Sequence, residues 1–373
     1  MIARTVFWTS VAGLAWTHAG YPLAAAALAR ARPRPVRKAD VTPSVTLIVP
    51  AHDEEDVIAG RVENLLALDY PPELLEIVVA SDASTDRTDA IVDEIAAREP
   101  RVRLVRCPRG GKLATINRVH TEGRGDVLAF TDANTRWERD ALRTLVRAFA
   151  DEDVGYVTGR LELRDPEGTN REGIYWRYEL RLREAESALG SVTGGNGAIY
   201  AVRRRDFLPQ PYGQDAALPA LMAQRGRRAV YEPNAVALEK PARDLEDEYG
   251  RKARMFRWSW YQLLAGRPTR GTGALFRLEW FSHRTLRYSS GLLHVALLAA
   301  SLALAPRGRV YRAALAGQLA WLSLAAAGRL RAPVPGALIA YYYLLVTWAT
   351  LVGLARYLHG GIPGTWERTE GTR

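Results

Sequence analysis

The sequence predicts an α/β domain on a parallel, doubly wound sheet, in a chain that also carries apolar helices at both ends. Two observations predict it. Between residues 45 and 149, short apolar runs alternate with longer amphipathic ones, the pattern of strand–helix–strand units. Outside that region, the segments 6–29, 288–305, 313–328 and 336–355 are almost free of charge, and roughly 20 apolar residues suffice to cross a bilayer as a helix. The expected organisation is an N-terminal transmembrane anchor at 1–29, a basic linker at 30–43 and the α/β domain at 44–240. Amphipathic interfacial helices at 241–287, C-terminal transmembrane helices at 288–356 and a tail at 357–373 complete it.

Element by element, Val45-Thr46-Leu47-Ile48-Val49 reads as a buried strand stopped by Pro50. Residues 55–68 have helical spacing, with Val57, Ile58, Val62, Leu65 and Leu66 on one face. A second strand at 75–80 precedes a helix at 86–97 that Thr85 or Asp86 can cap. A third strand at 102–106, a helix at 112–121 and a fourth strand at 127–130 follow. Beyond 154 the regularity fades. Strands at 156–159 and 198–202 flank a long helix at 173–189, and a helix at 217–225 holds Pro219 in its first turn. A last strand covers 231–238. The helix at 244–264 mixes Met255, Phe256, Trp258, Trp260 and Tyr261 with Arg251, Lys252, Arg254 and Arg257. That mixture suits a helix in the lipid headgroup layer, or an amphipathic helix packed on the domain.

Charge and cysteine usage narrow the setting. The alanine-rich stretch at 24–31 has the look of a signal-peptidase site. The apolar run before it is long for a signal, however, and leads straight into Arg30, Arg32, Arg34, Arg37 and Lys38. Dense positive charge holds that flank in the cytoplasm, which implies an uncleaved anchor in a multi-pass protein of the cytoplasmic membrane, its central domain on the cytoplasmic side. The net charge of +10 lies largely beside apolar segments, where it meets anionic membrane lipids. A nucleic-acid partner would want a basic, aromatic stripe on the central domain, and none is expected. The single Cys107 excludes an internal disulfide and fits a reducing cytoplasm.

The chemistry is expected at the strand edges. Pro50-Ala51-His52-Asp53-Glu54-Glu55 follows the first strand and Ser81-Asp82-Ala83-Ser84-Thr85-Asp86 the second. Arg109-Gly110-Gly111-Lys112 follows the third and Thr131-Asp132-Ala133-Asn134 the fourth. Ligands bind at such edges in open α/β sheets. Oxygen ligands one residue apart, as in Asp132 and Asn134, suit a hard divalent cation and thereby a diphosphate, although the same residue types populate ordinary turns. Glu54, Asp82 and Asp86 can equally be helix caps. Lysines are few among the 51 basic residues (Lys38, Lys112, Lys240 and Lys252), so a lysine behind two glycines points to a need for a compact charge. A second cluster, Thr193-Gly194-Gly195-Asn196-Gly197-Ala198 and then Gln214-Asp215, offers a backbone that can approach a ligand closely and a carboxylate able to accept a proton.

The ordered set 49–55, 81–88, 110–112, 131–134, 193–198 and 214–215 resembles the membrane-bound family 2 glycosyltransferases of the GT-A fold, the cellulose, chitin and hyaluronan synthase-like branch. The resemblance covers roughly residues 40–265, with Gly364-Thr365-Trp366-Glu367-Arg368-Thr369 of the tail also similar to one bacterial branch. It implies that Ala51, Glu54 and Asp82 hold the nucleoside, with Lys112 near the base or diphosphate. Asp132 and Asn134 take the Mg²⁺ or Mn²⁺ and diphosphate motif, and Asp215 the catalytic base. Gly195, Asn196, Gln214, Arg254, Arg257 and Trp258 fall on the acceptor or diphosphate side. Four departures qualify it: His52-Asp53 for an aromatic-Asn pair, Asn134 for a second Asp, Gln214 for an acid, and Arg254 for Gln. The implied activity is inverting transfer of a sugar from a nucleotide-diphosphate donor to a lipid-linked or polysaccharide acceptor. A membrane-associated nucleotidyltransferase and a non-catalytic nucleotide-sugar-binding protein remain as alternatives.

Overall fold

A computed structural model of the chain describes residues 1–164, 173–210, 213–241 and 245–362. The chain forms two compact units, one holding the central domain and the other the terminal helices with the helix Leu245–Leu264.

The central unit is built on an eight-stranded sheet. Its strands are β1 (Val45–Ala51), β2 (Leu75–Asp82), β3 (Val102–Cys107), β4 (Val127–Phe130), β5 (Arg136–Trp137), β6 (Val154–Leu163), β7 (Tyr200–Arg203) and β8 (Arg228–Glu239), in the order β3-β2-β1-β4-β7-β6-β8-β5. The first four strands are parallel neighbours, as the alternating pattern predicts. Their residues alternate between two buried clusters, Leu47, Val49, Ile77 and Val79 on one face and Ile48, Val78, Leu128 and Phe130 on the other. Burial on both faces explains why these strands read as continuous apolar runs. The strand order reverses direction at the β1/β4 boundary, where ligand crevices form in such sheets.

Several element boundaries differ from the sequence reading. β1 runs through Pro50 to Ala51. The Ile48 carbonyl faces β4, accepting the Thr131 N–H at 3.3 Å, and Pro50 faces the same way two residues on. The β4 pairing ends at Phe130↔Ile48, so no ladder bond is lost to the missing proline N–H. β2 is likewise longer, bringing Ser81 and Asp82 into the sheet. The helix expected from 55 starts only at Ile58, because Glu55 is engaged elsewhere: its N–H donates to Asp86 and its carboxylate accepts from the Arg87 N–H, both at 3.1 Å. Past β4 the sheet turns mixed. β7 runs antiparallel to β4 and β6, and β8 lies parallel to β6. Pairing of Phe130 with Tyr200 places the loop before β7 at the carboxyl edge of β4. Pro219 also lies deeper than expected, since its helix spans Gln214–Gln224.

In the other unit, two helices among the described residues are long and apolar enough to cross a membrane, Ser290–Arg307 and Ala337–Gly360. Two of the four expected spans thus have the length and composition to cross a membrane. The third segment lies in the helix Arg309–Arg329, which carries Arg309, Arg312 and Arg329. The first is divided into Ile2–Ala15 and Tyr21–Ala31 by a π-helical stretch, Trp16–Gly20. That stretch turns polar groups inward: Thr17 donates to the Ser282 carbonyl at 2.8 Å, and His18 Nε2 lies 3.1 Å from Tyr343 Oη. An N-terminal spanning anchor is therefore not shown. The helix Leu245–Leu264 packs along Ala337–Gly360 and comes close at Gly353, where a β-carbon would meet the Phe256 β-carbon at 2.7 Å.

Candidate active site

The first two strand edges are stitched to each other. Asp53, in the left-handed region at φ 49°, accepts from the Thr85 N–H at 2.6 Å, and its own N–H donates to Ser84 Oγ at 3.1 Å. The Glu54 N–H donates to Thr88 Oγ1 at 2.7 Å. Asp86 accepts the Thr88 N–H at 2.9 Å just before the helix Thr88–Ala96. Although burial opposes it, these hydrogen bonds hold the Asp86 carboxyl below its ordinary range. Ala51 and Glu54 are buried beside this junction.

Asp82, at the end of β2, is 1 % exposed. Its carboxylate accepts from the Gly110 N–H at 2.7 Å, the Gly111 N–H at 2.9 Å, Arg109 Nη1 at 2.5 Å and Thr115 Oγ1 at 3.2 Å. It is an anion seated at the start of the helix Gly111–Val119, where the helix dipole and unsatisfied amides favour negative charge. Gly111, at φ 85°, bends the chain so that both amides reach it.

Lys112 leaves that helix toward the fourth edge and forms an ion pair with Asp132. Burial lowers its pKa, but the carboxylates of Asp132, Asp215 and Glu239 outweigh burial and hold it above the ordinary lysine value. Asp215 lies in the first turn of its helix. Burial raises its pKa, Lys112 opposes and Asp132 adds to the rise, and the net position is above the ordinary aspartate range. Asn134 donates to Glu239 Oε1 at 3.4 Å. The glycine loop closes the cluster: a β-carbon on Gly197 would lie 3.2 Å from Lys112 Nζ and 3.5 Å from Asp132 Oδ2.

Other expected site residues have different surroundings. The Asn196 amide is turned inward, donating to the Gly159 carbonyl at 2.7 Å and accepting from the Ala198 and Ile199 N–H groups at 3.2 and 3.1 Å. Arg254, Arg257 and Trp258 belong to the terminal-helix unit. There, Arg257 donates to the Gly361 and Gly360 carbonyls at 2.6 and 2.9 Å, closing the end of a long helix. The Gln214 side chain and the tail motif at 364–369 lie outside the described residues.

Three residues near the cluster were not expected. Glu239 ends β8. Tyr156, in β6, donates to the Asp215 carbonyl at 3.4 Å. Arg61, 2 % exposed, donates to Thr131 Oγ1 at 2.5 Å and lies over the Trp137 ring. Each sits in a strand or helix where periodicity signals only packing.

Among the described residues, no group of three or more His, Cys, Asp or Glu side chains is arranged to hold a metal. Asp132 and Asn134 nevertheless offer hard oxygen atoms, and Mg²⁺-type sites take one or two carboxylates with the rest of the shell from substrate phosphates and water. The pair fits a cation that arrives with a diphosphate.

The mixed α/β sheet with its polar strand edges has the GT-A type of fold. Residues 46–210 match the family described as Glycosyl transferase family 2. It is 33% identical over 211 residues to a beta-monoglucosyldiacylglycerol synthase of Synechocystis sp., covering 52% of this chain and 42% of that protein. It is 26% identical to an N-acetylglucosaminyltransferase of Rhizobium sp., covering 53% and 49%. The chain thus spans about half or less of these relatives' length. Among solved structures, the mannosyltransferase PcManGT of Pyrobaculum calidifontis, in complex with GDP-Man and Mn²⁺, superposes with a TM-score of 0.72 at 24% identity, covering 95% of this chain and 99% of that one. These names do not single out the synthase-like branch that the motif order resembles.

Proposed function

We propose that this protein is an inverting glycosyltransferase that moves a sugar from a nucleotide-diphosphate donor to a lipid acceptor at the cytoplasmic face of a membrane. The observation that carries this reading is the Lys112–Asp132 ion pair at the border of the glycine loop, whose Gly195 N–H donates to the Asp215 backbone carbonyl. Asp215, whose burial raises its pKa against the pull of Lys112, accepts the proton of the acceptor hydroxyl. The oxygen so freed bonds to the anomeric carbon from the face opposite the diphosphate, whose bond breaks with its electron pair. Lys112 meets the negative charge that departs. Asp132 and Asn134 would hold Mg²⁺ or Mn²⁺, which when bound neutralises diphosphate charge. Ala51, Glu54 and the Asp82 loop form the nucleoside side.

A lipid acceptor is supported by two apolar helices of spanning length and by the diacylglycerol in the name of one relative. Metal use is supported by the Mn²⁺ and GDP-mannose of the structural neighbour. The test is a panel of radiolabelled nucleotide sugars on membranes holding the full chain, with Mn²⁺ or with chelator. Labelled glycolipid that disappears on chelation and returns with Mn²⁺ is expected. Release of inorganic diphosphate would instead indicate a nucleotidyltransferase, and donor binding without turnover a non-catalytic protein.

A further inference from the structure

In an uninterrupted α-helix the N–H of residue 219 would donate to the carbonyl of residue 215. Position 219 is proline, inside the helix Gln214–Gln224. Proline lacks the donor, and its ring crowds the carbonyl four residues back. The Asp215 carbonyl is thereby released from the helix, and the structure shows what takes it. The Gly195 N–H donates to it at 2.9 Å and the Tyr156 phenol at 3.4 Å.

Both partners are tightly constrained. Tyr156 is fully buried in β6. Gly195 has no room for a side chain, since a β-carbon would run into Tyr156 Oη and lie 3.1 Å from the Asp215 carbonyl. Thr158, two residues along β6 and therefore on the same face, accepts the Asn196 N–H at 3.3 Å. The glycine loop is thus pinned to β6 through Asn196 and to the Asp215 carbonyl through Gly195, while its far end at Gly197 borders Lys112 and Asp132. The inward-facing Asn196 amide belongs to the same pinning.

We propose that Pro219 is a positioning residue: by freeing the Asp215 carbonyl for Gly195 and Tyr156, it ties the helix that carries the base to the loop that borders the Lys112–Asp132 pair. The inference rests on Asp215 being the base. Its consequence is a separation of stability from turnover. Pro219→Ala restores a helix donor that competes for the same carbonyl. Because proline is strongly disfavoured inside helices, this variant should melt at a higher temperature than the wild type. Its kcat should nevertheless fall by about tenfold with donor KM little changed, the pattern of an interaction made only in the transition state.

The assay uses the full-length protein in membranes with radiolabelled GDP-mannose or UDP-glucose, whichever is turned over, and compares Pro219→Ala, Tyr156→Phe and Asp215→Asn. Tyr156→Phe removes one of the two donors, and its kcat should fall by a smaller factor, about threefold by the same logic. Pro219→Ala with raised Tm and unchanged kcat overturns the proposal. So does parallel loss of Tm and kcat in Pro219→Ala with Tyr156→Phe at wild-type turnover. Asp215→Asn at full activity would remove the base itself. An inactive Asp215→Asn beside a fully active Pro219→Ala removes only the positioning role.

Discussion

The edges of β2 and β4 each present an aspartate to the same crevice, and the two are held in opposite ways. Asp82 is saturated: two glycine amides, an arginine and a threonine all donate to one carboxylate. Asp132 is paired with Lys112, and the carboxylates of Asp215 and Glu239 act electrostatically on the same ammonium. The first arrangement fixes a loop before any substrate arrives. The second leaves negative charge in excess, which a divalent cation brought in with a diphosphate would balance. A preformed cradle and an unbalanced charge cluster are two different uses of the same residue type, and only the second is suited to chemistry.

Breaking the charge cluster should have the largest effect. Asp215→Asn keeps the shape of the site but removes the proton acceptor, so transfer should fall by about 10²–10⁴-fold, the usual range for general-base assistance. Donor binding, followed by fluorescence or equilibrium dialysis, should be retained. Transfer at the wild-type rate would take Asp215 out of the mechanism.

Lys112→Met should come next, and it carries a sign. Lys112 lowers the Asp215 pKa while burial and Asp132 raise it. With the ammonium gone, Asp215 should titrate at higher pH, so the acid limb of the kcat/KM profile should move upward in pH. Donor affinity should fall as well. An unmoved acid limb would mean that Lys112 and Asp215 are not coupled and that the cluster is not one unit.

The parallel half of the sheet was legible in the sequence because burial on both faces leaves uninterrupted apolar runs, and turn residues mark each end. The candidate site was legible only where it lies at strand ends and helix starts. Asp132, Asp215 and Lys112 follow strand-like runs or glycines, and the structure brings them together. Arg61 sits among Val57, Ile58 and Val62 on a helix whose polar positions normally face water; its partner Thr131 lies seventy residues further on, a pairing that no local period encodes. Tyr156 reads as an ordinary core strand residue for the same reason. Pro219 was visible, but its role depends on where the helix begins. A start at 217 makes it a first-turn proline, whereas the observed start at Gln214 makes it a device that frees a carbonyl.

The smallest effect on chemistry, and the sharpest on the comparison, should come from Asp82→Ala. The substitution strips the acceptor from Gly110, Gly111, Arg109 and Thr115 at once, and the Gly111 N–H is buried. Leaving such donors without a partner costs about 2–3 kcal/mol, readable as a lower denaturation midpoint with an unchanged denaturant slope. Once the protein is folded, kcat should stay within about threefold of wild type, since Asp82 anchors the turn that leads into the Lys112 helix on the nucleoside side and does not touch the reacting atoms. The opposite result, normal stability with a donor KM raised by tenfold or more, would make Asp82 a nucleoside ligand first and a loop anchor second. In that case the carboxylates of β2 and β4 would both be ligands waiting for substrate, and the contrast between a preformed cradle and an unbalanced cluster would not hold.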